Sequence, residues 1–182
     1  MADVMQQLHQ DHVNIARLLD VMDIHLKLFQ EGEKPDYVLM MDVMQYMTHY
    51  PDLFHHPIEN LVFTKLSERD SSSRLLVKEL MNQHEALAGK GADFLDILRS
   101  VVEEQMVSRE TLESKGIEYV HMLRRHADVE EGQAFPLAKK HLTEQDWSEI
   151  RETMEHMEDP LFGSTVEKQY VALYEYINEQ VG

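Results

Sequence analysis

Apolar positions recur along this chain at helical spacing, and strand-like alternation is not sustained anywhere. Leu8, Ile15, Leu18, Leu19, Met22, Leu26 and Phe29 form one stripe, which predicts a helix from about Asp3 to Gln30, closed by Gly32 and Pro35. A second helix is expected from near Asp36 to near Ser67. Pro51 and Pro57 fall inside it, and each lacks a backbone donor, so a bend is expected at Tyr50-Pro51 before the helix resumes with Phe54, Ile58, Leu61, Val62 and Leu66. Beyond a polar junction at Ser71 to Ser73, a third helix should run from near Ser72 to about Met106, burying Leu76, Leu80, Leu87, Phe94, Leu95 and Leu98. Gly89 and Gly91 lie in its interior, as a local weakness or as a concession to close packing. Ser108 can cap a fourth helix that continues to about His141. Two shorter helices follow. One is opened by Thr143-x-x-Asp146 and reaches Met157; the other is opened by the capping box Ser164-x-x-Glu167 and ends near Val181, with Tyr170, Leu173, Tyr174 and Ile177 as its apolar side.

The expected fold is therefore all-α: an antiparallel up-and-down four-helix bundle over residues 1–142, followed by additional short C-terminal helices over 143–182. That extension packs on the bundle or joins an oligomer interface, such as that of a homodimer. The 182 residues suffice for one domain with a substantial core. A net charge of −17, from 17 basic and 34 acidic residues, disfavours nucleic acid and anionic membranes as partners. No run approaches the length of apolar residues that spans a bilayer. There is no cysteine, which excludes disulfides, thiolate catalysis and sulfur-ligated metals. The opening MADVMQQLHQDH lacks the basic start and apolar stretch of a signal peptide, so a cytoplasmic location is expected. The 12 methionines include a cluster at Met40, Met41, Met44 and Met47, which reads as flexible apolar filler and not as a copper site.

Eleven histidines are the unusual feature, and four stand out by position. His12 is followed 43 residues later by His55, and His55 four later by Glu59; His84 is followed 42 residues later by His126, and His126 four later by Glu130. One isolated His four residues before a Glu is common on helices. The duplication, at a period close to one helical hairpin, is what a two-metal site inside a four-helix bundle requires. Each His-x-x-x-Glu pair shares a helix face. With consecutive helices antiparallel, the six positions fall at heights that agree to within one or two turns. Four imidazoles and two carboxylates suit iron, with manganese or zinc as alternatives, and the carboxylates are natural bridges between two cations. Without a metal these residues would make a polar core that needs a closed hydrogen-bond network.

Residues 5–141 resemble the bacterial hemerythrin-like, HHE cation-binding proteins. The resemblance is carried by His12 in LHQDHVNIARLL, His55 and Glu59 in FHHPIENLVF, His84 in NQHEALAGKG, and His126 and Glu130 in RRHADVEEGQAFPLA. It implies an antiparallel four-helix bundle around a non-haem di-iron centre, oxo- or hydroxo-bridged, with those six residues as ligands. Two departures separate this chain from the oxygen-carrying hemerythrins. The second histidine of their third helix is replaced here by Ala88, and the aspartate five residues after their last histidine is here Glu130, four residues after. The first departure opens coordination space on one iron, which solvent or another residue could fill.

Neighbouring residues carry expectations of their own. His56 is about 100° around the helix from His55 and is expected to support the site from outside or to face solvent. His9, His49 and Tyr50 are candidates to swing inward, Glu131 reads as a surface or supporting acid, and His25 is too far along the first helix to share the centre. His121, His141 and His156 read as ordinary, partly exposed histidines. The expected function is binding of a small ligand (oxygen, nitric oxide or peroxide) at the di-iron centre, with a place in a stress response. The alternatives are a di-iron enzyme acting on peroxide or nitric oxide, and an iron donor for repair.

Overall fold

The computed structural model describes residues 4–153 and 158–180. Four long helical rods account for most of it. The first is α1 (Val4–Gln30). The second is α2 (Tyr37–Met47), a widened turn (Pro51–His55) and α3 (His56–Arg69). The third is α4 (Arg74–Val102). The fourth is α5 (Arg109–Val129), a second widened turn (Glu130–Ala134) and α6 (Phe135–His141). Two shorter helices follow, α7 (Glu144–Thr153) and α8 (Val171–Gln180). The expected helix start at Asp3, the end of the penultimate helix at Met157 with His156, and the end of the last at Val181 lie outside the described residues. No described helix is long and apolar enough to cross a membrane.

Local chemistry explains most boundaries. Gly32 closes α1 in the left-handed region at φ 86°, where side-chain-bearing residues are strained. Asp36 caps α2 by accepting from Leu39 N at 3.0 Å, and Ser108 caps α5 by accepting from Thr111 N at 3.0 Å. The bend expected at Tyr50-Pro51 is a full interruption, since α2 stops at Met47 and a short turn precedes the widened segment. The capping box at Thr143 forms: Thr143 N and Oγ1 both donate to Asp146 Oδ2, and Asp146 N donates to Thr143 Oγ1. The one expected at Ser164 does not. Glu158 Oε1 captures Ser164 N, Glu167 takes the cap position, and a short tight turn at Lys168–Tyr170 leads into α8.

The two widened turns have one cause. Each is followed by a proline at the second position of the next helix, Pro57 and Pro136. Proline has no N–H to give to the carbonyl four residues back, and its ring crowds that carbonyl. The ladder shifts instead to bonds across five residues, His56 N to Pro51 O and Phe135 N to Glu130 O.

The apolar residues fall into two cores with a polar layer between them. One core takes Ile15 to Phe29 of α1, Leu39 to Tyr50 of the second rod, Leu87 to Leu98 of α4 and Leu112 to Leu123 of α5. The other takes Val4 to Leu8, Val62 to Leu66, Val77 with Leu80, and Ala134 to Ala138. Along α1 and α4 the chain passes from the second core to the first; along the second and fourth rods it passes from the first to the second. Between them, on every rod, lie the buried polar residues Asp11, His12, His55, His56, Glu59, His84, His126 and Glu130. α1 packs on α2 and α5, and α4 packs on α2 and α5, so the rods are neighbours in a ring.

The C-terminal segment lies against these rods. α8 packs on α1 and α2, and Leu161, Tyr170, Leu173 and Ile177 enter the first core, whereas Tyr174 is exposed. α7 packs on α3 and places Ile150 in the second core. Tyr46 Oη donates to Asp159 Oδ2 at 2.9 Å, tying the segment to α2. Met40, Met44 and Met47 are buried among the apolar residues of the first core, as filler.

Candidate metal centre

The polar layer gathers all six residues singled out by spacing, and all six are buried. His12 Nε2 lies 3.4 Å from Glu59 Oε1 and 3.3 Å from Glu130 Oε2. His55 Nε2 lies 3.2 Å from Glu59 Oε1. His84 Nε2 lies 3.3 Å from Glu59 Oε2 and 3.3 Å from Glu130 Oε1, and His126 Nε2 lies 3.1 Å from Glu130 Oε1. The histidines thus form two groups, His12 with His55 and His84 with His126. Each glutamate offers one oxygen to each group.

Every one of these imidazoles turns Nε2 inward because Nδ1 is held from outside. His12 Nδ1 pairs with Glu131 Oε1 at 2.9 Å, His55 Nδ1 with Asp11 Oδ2 at 3.1 Å, His84 Nδ1 with Asn60 Oδ1 at 3.0 Å and His126 Nδ1 with Gln83 Oε1 at 2.9 Å. A carboxylate or amide oxygen only accepts, so each Nδ1 is the donor, and in the neutral ring each Nε2 turns its lone pair to the interior. Ligating histidines are held in this way by an outer partner.

Of the two places expected for His56, beside the site or facing solvent, the structure shows the first: it is buried, its ring stacks on His84 with centroids 4.3 Å apart, and its Nδ1 lies 3.2 Å from Asp52 Oδ1. Two sets of donor atoms come within 4.8 Å of one another, His12, His55 and Glu59 in one and His56, Glu59, His84 and His126 in the other. The widened turn is the reason. More residues per turn reduce the angle between successive side chains, so the 100° separation assumed for a regular helix overstates the divergence of His55 and His56. The signal in the sequence was a second histidine beside the ligand, followed at once by a proline.

The other neighbours divide. Tyr50 is buried but joins an aromatic stack with Tyr46, centroids 5.6 Å apart, and His49 is exposed. His9 is largely exposed and pairs with Glu131 at 2.9 Å, so Glu131 joins a surface histidine to His12 through one carboxylate oxygen. His25 is buried away from the centre, with its Nδ1 accepting from Asp36 N at 3.3 Å; His121 is exposed, and His141 is half-buried 4.0 Å from Asp70.

Two wholly buried carboxylates demand positive charge. In the metal-free centre the imidazoles supply it. Burial works against charging His12, yet Glu130 and Glu59 outweigh it and push its pKa up to about 11. Burial likewise opposes charge on His55 and His84, but the glutamates, with Asp11 beside His55, raise both to about 9. Burial and the neighbouring Glu59 oppose ionisation of Glu130, but His12, His126 and His84 bring it down to about 2. Glu59 is held well below the carboxylate range by His55, His12 and His84 against the effect of burial. For His56 burial prevails over Asp52 and favours the neutral ring.

Protons do not satisfy the geometry. Glu59 Oε1 and Oε2, Glu130 Oε2 and His126 Nε2 are buried without a hydrogen-bond partner, although their neighbours stand close. Apart from a long hydrogen bond between His84 Nε2 and Glu130 Oε1 at 3.3 Å, these atoms converge on a point with their lone pairs unengaged, which suits a cation there, and nitrogen and oxygen donors without sulfur suit iron, manganese or zinc. The residues present therefore fit a metal centre. Comparison with known families agrees: the chain belongs to the hemerythrin HHE cation binding domain family, whose model matches residues 3–138. No curated protein matches the chain.

Proposed function

We propose that this chain is a non-haem di-iron protein that binds a small ligand, namely oxygen, nitric oxide or peroxide, within an antiparallel up-and-down four-helix bundle. Residues 1–142 form the bundle, and 143–182 form a helical extension packed against it. The reversal of core order along consecutive rods supports the antiparallel reading. The ligands are His12, His55, Glu59, His84, His126 and Glu130. The observation that carries the proposal is the pair of buried glutamates, each with one oxygen toward His12 and the other toward His84. Carboxylates so placed bridge two cations and offset their repulsion. The charge balance favours two ions as well: Glu59, Glu130, Asp11 and Glu131 all pair with these imidazoles, four negative charges against the +4 of two divalent cations.

Two irons would supply reversible electron transfer and open coordination positions; the protein supplies the enclosure. Phe135 stacks on His12 with centroids 5.3 Å apart and Phe63 on His84 with centroids 6.1 Å apart, closing the centre off on the side of the second core. No space for a larger substrate is implied, which keeps the ligand to a diatomic or peroxide. The location is expected to be the cytoplasm, and neither nucleic acid nor a membrane is expected as a partner.

The test is iron per chain after anaerobic purification, followed by optical spectra on addition of oxygen, nitric oxide and peroxide. Two irons and a ligand-dependent spectrum are expected; one iron or none, or a spectrum indifferent to all three, overturns the proposal. Enzymatic turnover of peroxide or nitric oxide is a second reading, favoured by the His9–Glu131–His12 link from solvent to the centre. Repeated consumption by the iron-loaded protein separates it from stoichiometric binding.

A further inference from the structure

Position 88 is one helical turn beyond His84 on the same face of α4, and its alanine offers no donor atom. The His84 and His126 group is thereby left one imidazole short of the pattern the chain otherwise resembles. His56 approaches that group from α3. A ring nitrogen of His56 comes within 4.8 Å of ligand atoms of Glu59, His84 and His126. Its ring lies nearly parallel to His84, at 18°, and nearly perpendicular to His126, at 86°. Its Nδ1 is engaged by Asp52, which lies four residues earlier on the same rod. That is the same arrangement that turns Nε2 of the other four histidines inward.

We infer that His56 is itself a metal ligand, supplying from the second rod the imidazole that Ala88 does not supply from the third. The inference rests on the two-metal reading above. It makes the two ions unequal: one is held by His12 and His55, the other by His84, His126 and His56, and the two glutamates are shared. It also makes the segment from Pro51 to Glu59 the hub of the centre, because His55 serves one ion, His56 the other, and Glu59 both. A widened turn at that point is the backbone geometry that lets two consecutive histidines address two adjacent ions.

A packing role for the His56 ring is the competing explanation, and two variants separate them. His56→Ala removes ring and donor; His56→Phe keeps an aromatic ring against His84 but has no donor. Both would be titrated with Co(II), whose visible absorption reports the number and kind of donors, with far-ultraviolet circular dichroism confirming the helical fold. The wild-type chain should take two Co(II) ions. In both variants the second ion should bind at least about 100-fold more weakly, the upper end of what losing an outer partner of a ligand costs, and its absorption should change in intensity. Recovery of the second ion in the double variant His56→Ala/Ala88→His would support the substitution of one imidazole for the other. Two ions bound with wild-type affinity and absorption in both single variants would overturn the inference and leave the two-metal reading standing. A wild-type chain that takes fewer than two ions would overturn both.

Discussion

Asp11 Oδ2 lies 3.1 Å from His55 Nδ1, so the residue beside one candidate ligand, His12, aims another that belongs to a different helix. The contact couples α1 to the second rod at the level of the candidate centre and sets which nitrogen of the neutral His55 ring carries the proton. Asp11 is held in turn by Gln7 Nε2 at 2.8 Å. Asp11→Ala should weaken the ion at His12 and His55 by about 10- to 100-fold, and Asp11→Asn, which keeps an acceptor but loses the charge, by less. Chelator competition on the purified variants measures this.

Metal binding should release protons. In the metal-free centre His12 titrates near 11 and His55 and His84 near 9, so all three are charged at neutral pH. Ligation needs them neutral. Metal affinity should therefore rise with pH through the neutral range, and calorimetry in buffers of different ionisation enthalpy should find protons released on loading at pH 7.

The metal-free fold should show the complementary pH dependence. Imidazoles raised from 6.5 stabilise it fully below that value and lose their contribution as pH rises through 9 to 11. Glu130, lowered from 4.5, stabilises it above that value and loses its contribution as pH falls toward 2. Maximum stability from this centre lies between those limits, near pH 5 to 6. Denaturation of the chelator-treated protein across pH should show that maximum, and metal loading should flatten the alkaline side.

Two interior glycines should respond oppositely to alanine. A Cβ at Gly116 would sit 2.7 Å from Leu26 Cδ2 and 2.8 Å from Phe94 Cζ, so Gly116→Ala should destabilise by about 1–3 kcal/mol through overpacking. A Cβ at Gly89 meets nothing within 4 Å, so Gly89→Ala should stabilise by about 0.5–1 kcal/mol through helix propensity. Thermal unfolding distinguishes the signs.

Asp146 anchors α7. It caps the helix through Thr143 and accepts two bonds from Arg69 of α3, at 2.9 and 2.8 Å, and Arg69 holds its carboxyl well below the usual range. Asp146→Ala should cost about 1–2 kcal/mol through the lost Arg69 and Thr143 bonds, read by chemical denaturation.

The helices and the six converging residues were legible because both obey local rules: apolar stripes set the rods, and a shared face with matched heights set the His and Glu positions. The features that eluded the sequence depend on rods meeting. Asp11 with His55 and Gln83 with His126 pair across helices, which no spacing announces. Pro57 foretold a disturbance of the ladder but not that it would widen the turn and bring His56 inward. Of the two readings for glycines in α4, close packing holds at Gly91, where a Cβ would meet Thr48 and Tyr119 at 3.1 and 3.2 Å, and not at Gly89. At Ser164 the box lost to Glu158, a competitor outside the four-residue pattern.

The widened turn at Pro51–His55 takes in one residue more than an ordinary turn would use. With the residue count unchanged, regular winding of that segment would carry all that follows further round the axis by up to about 100° relative to α2. His55, His56 and Glu59 would turn away from the interior together, with every candidate ligand still in the chain. The centre is thus written in the winding of the backbone as well as in residue identity, and a change that relaxed the ladder would dissolve it while leaving the motif intact.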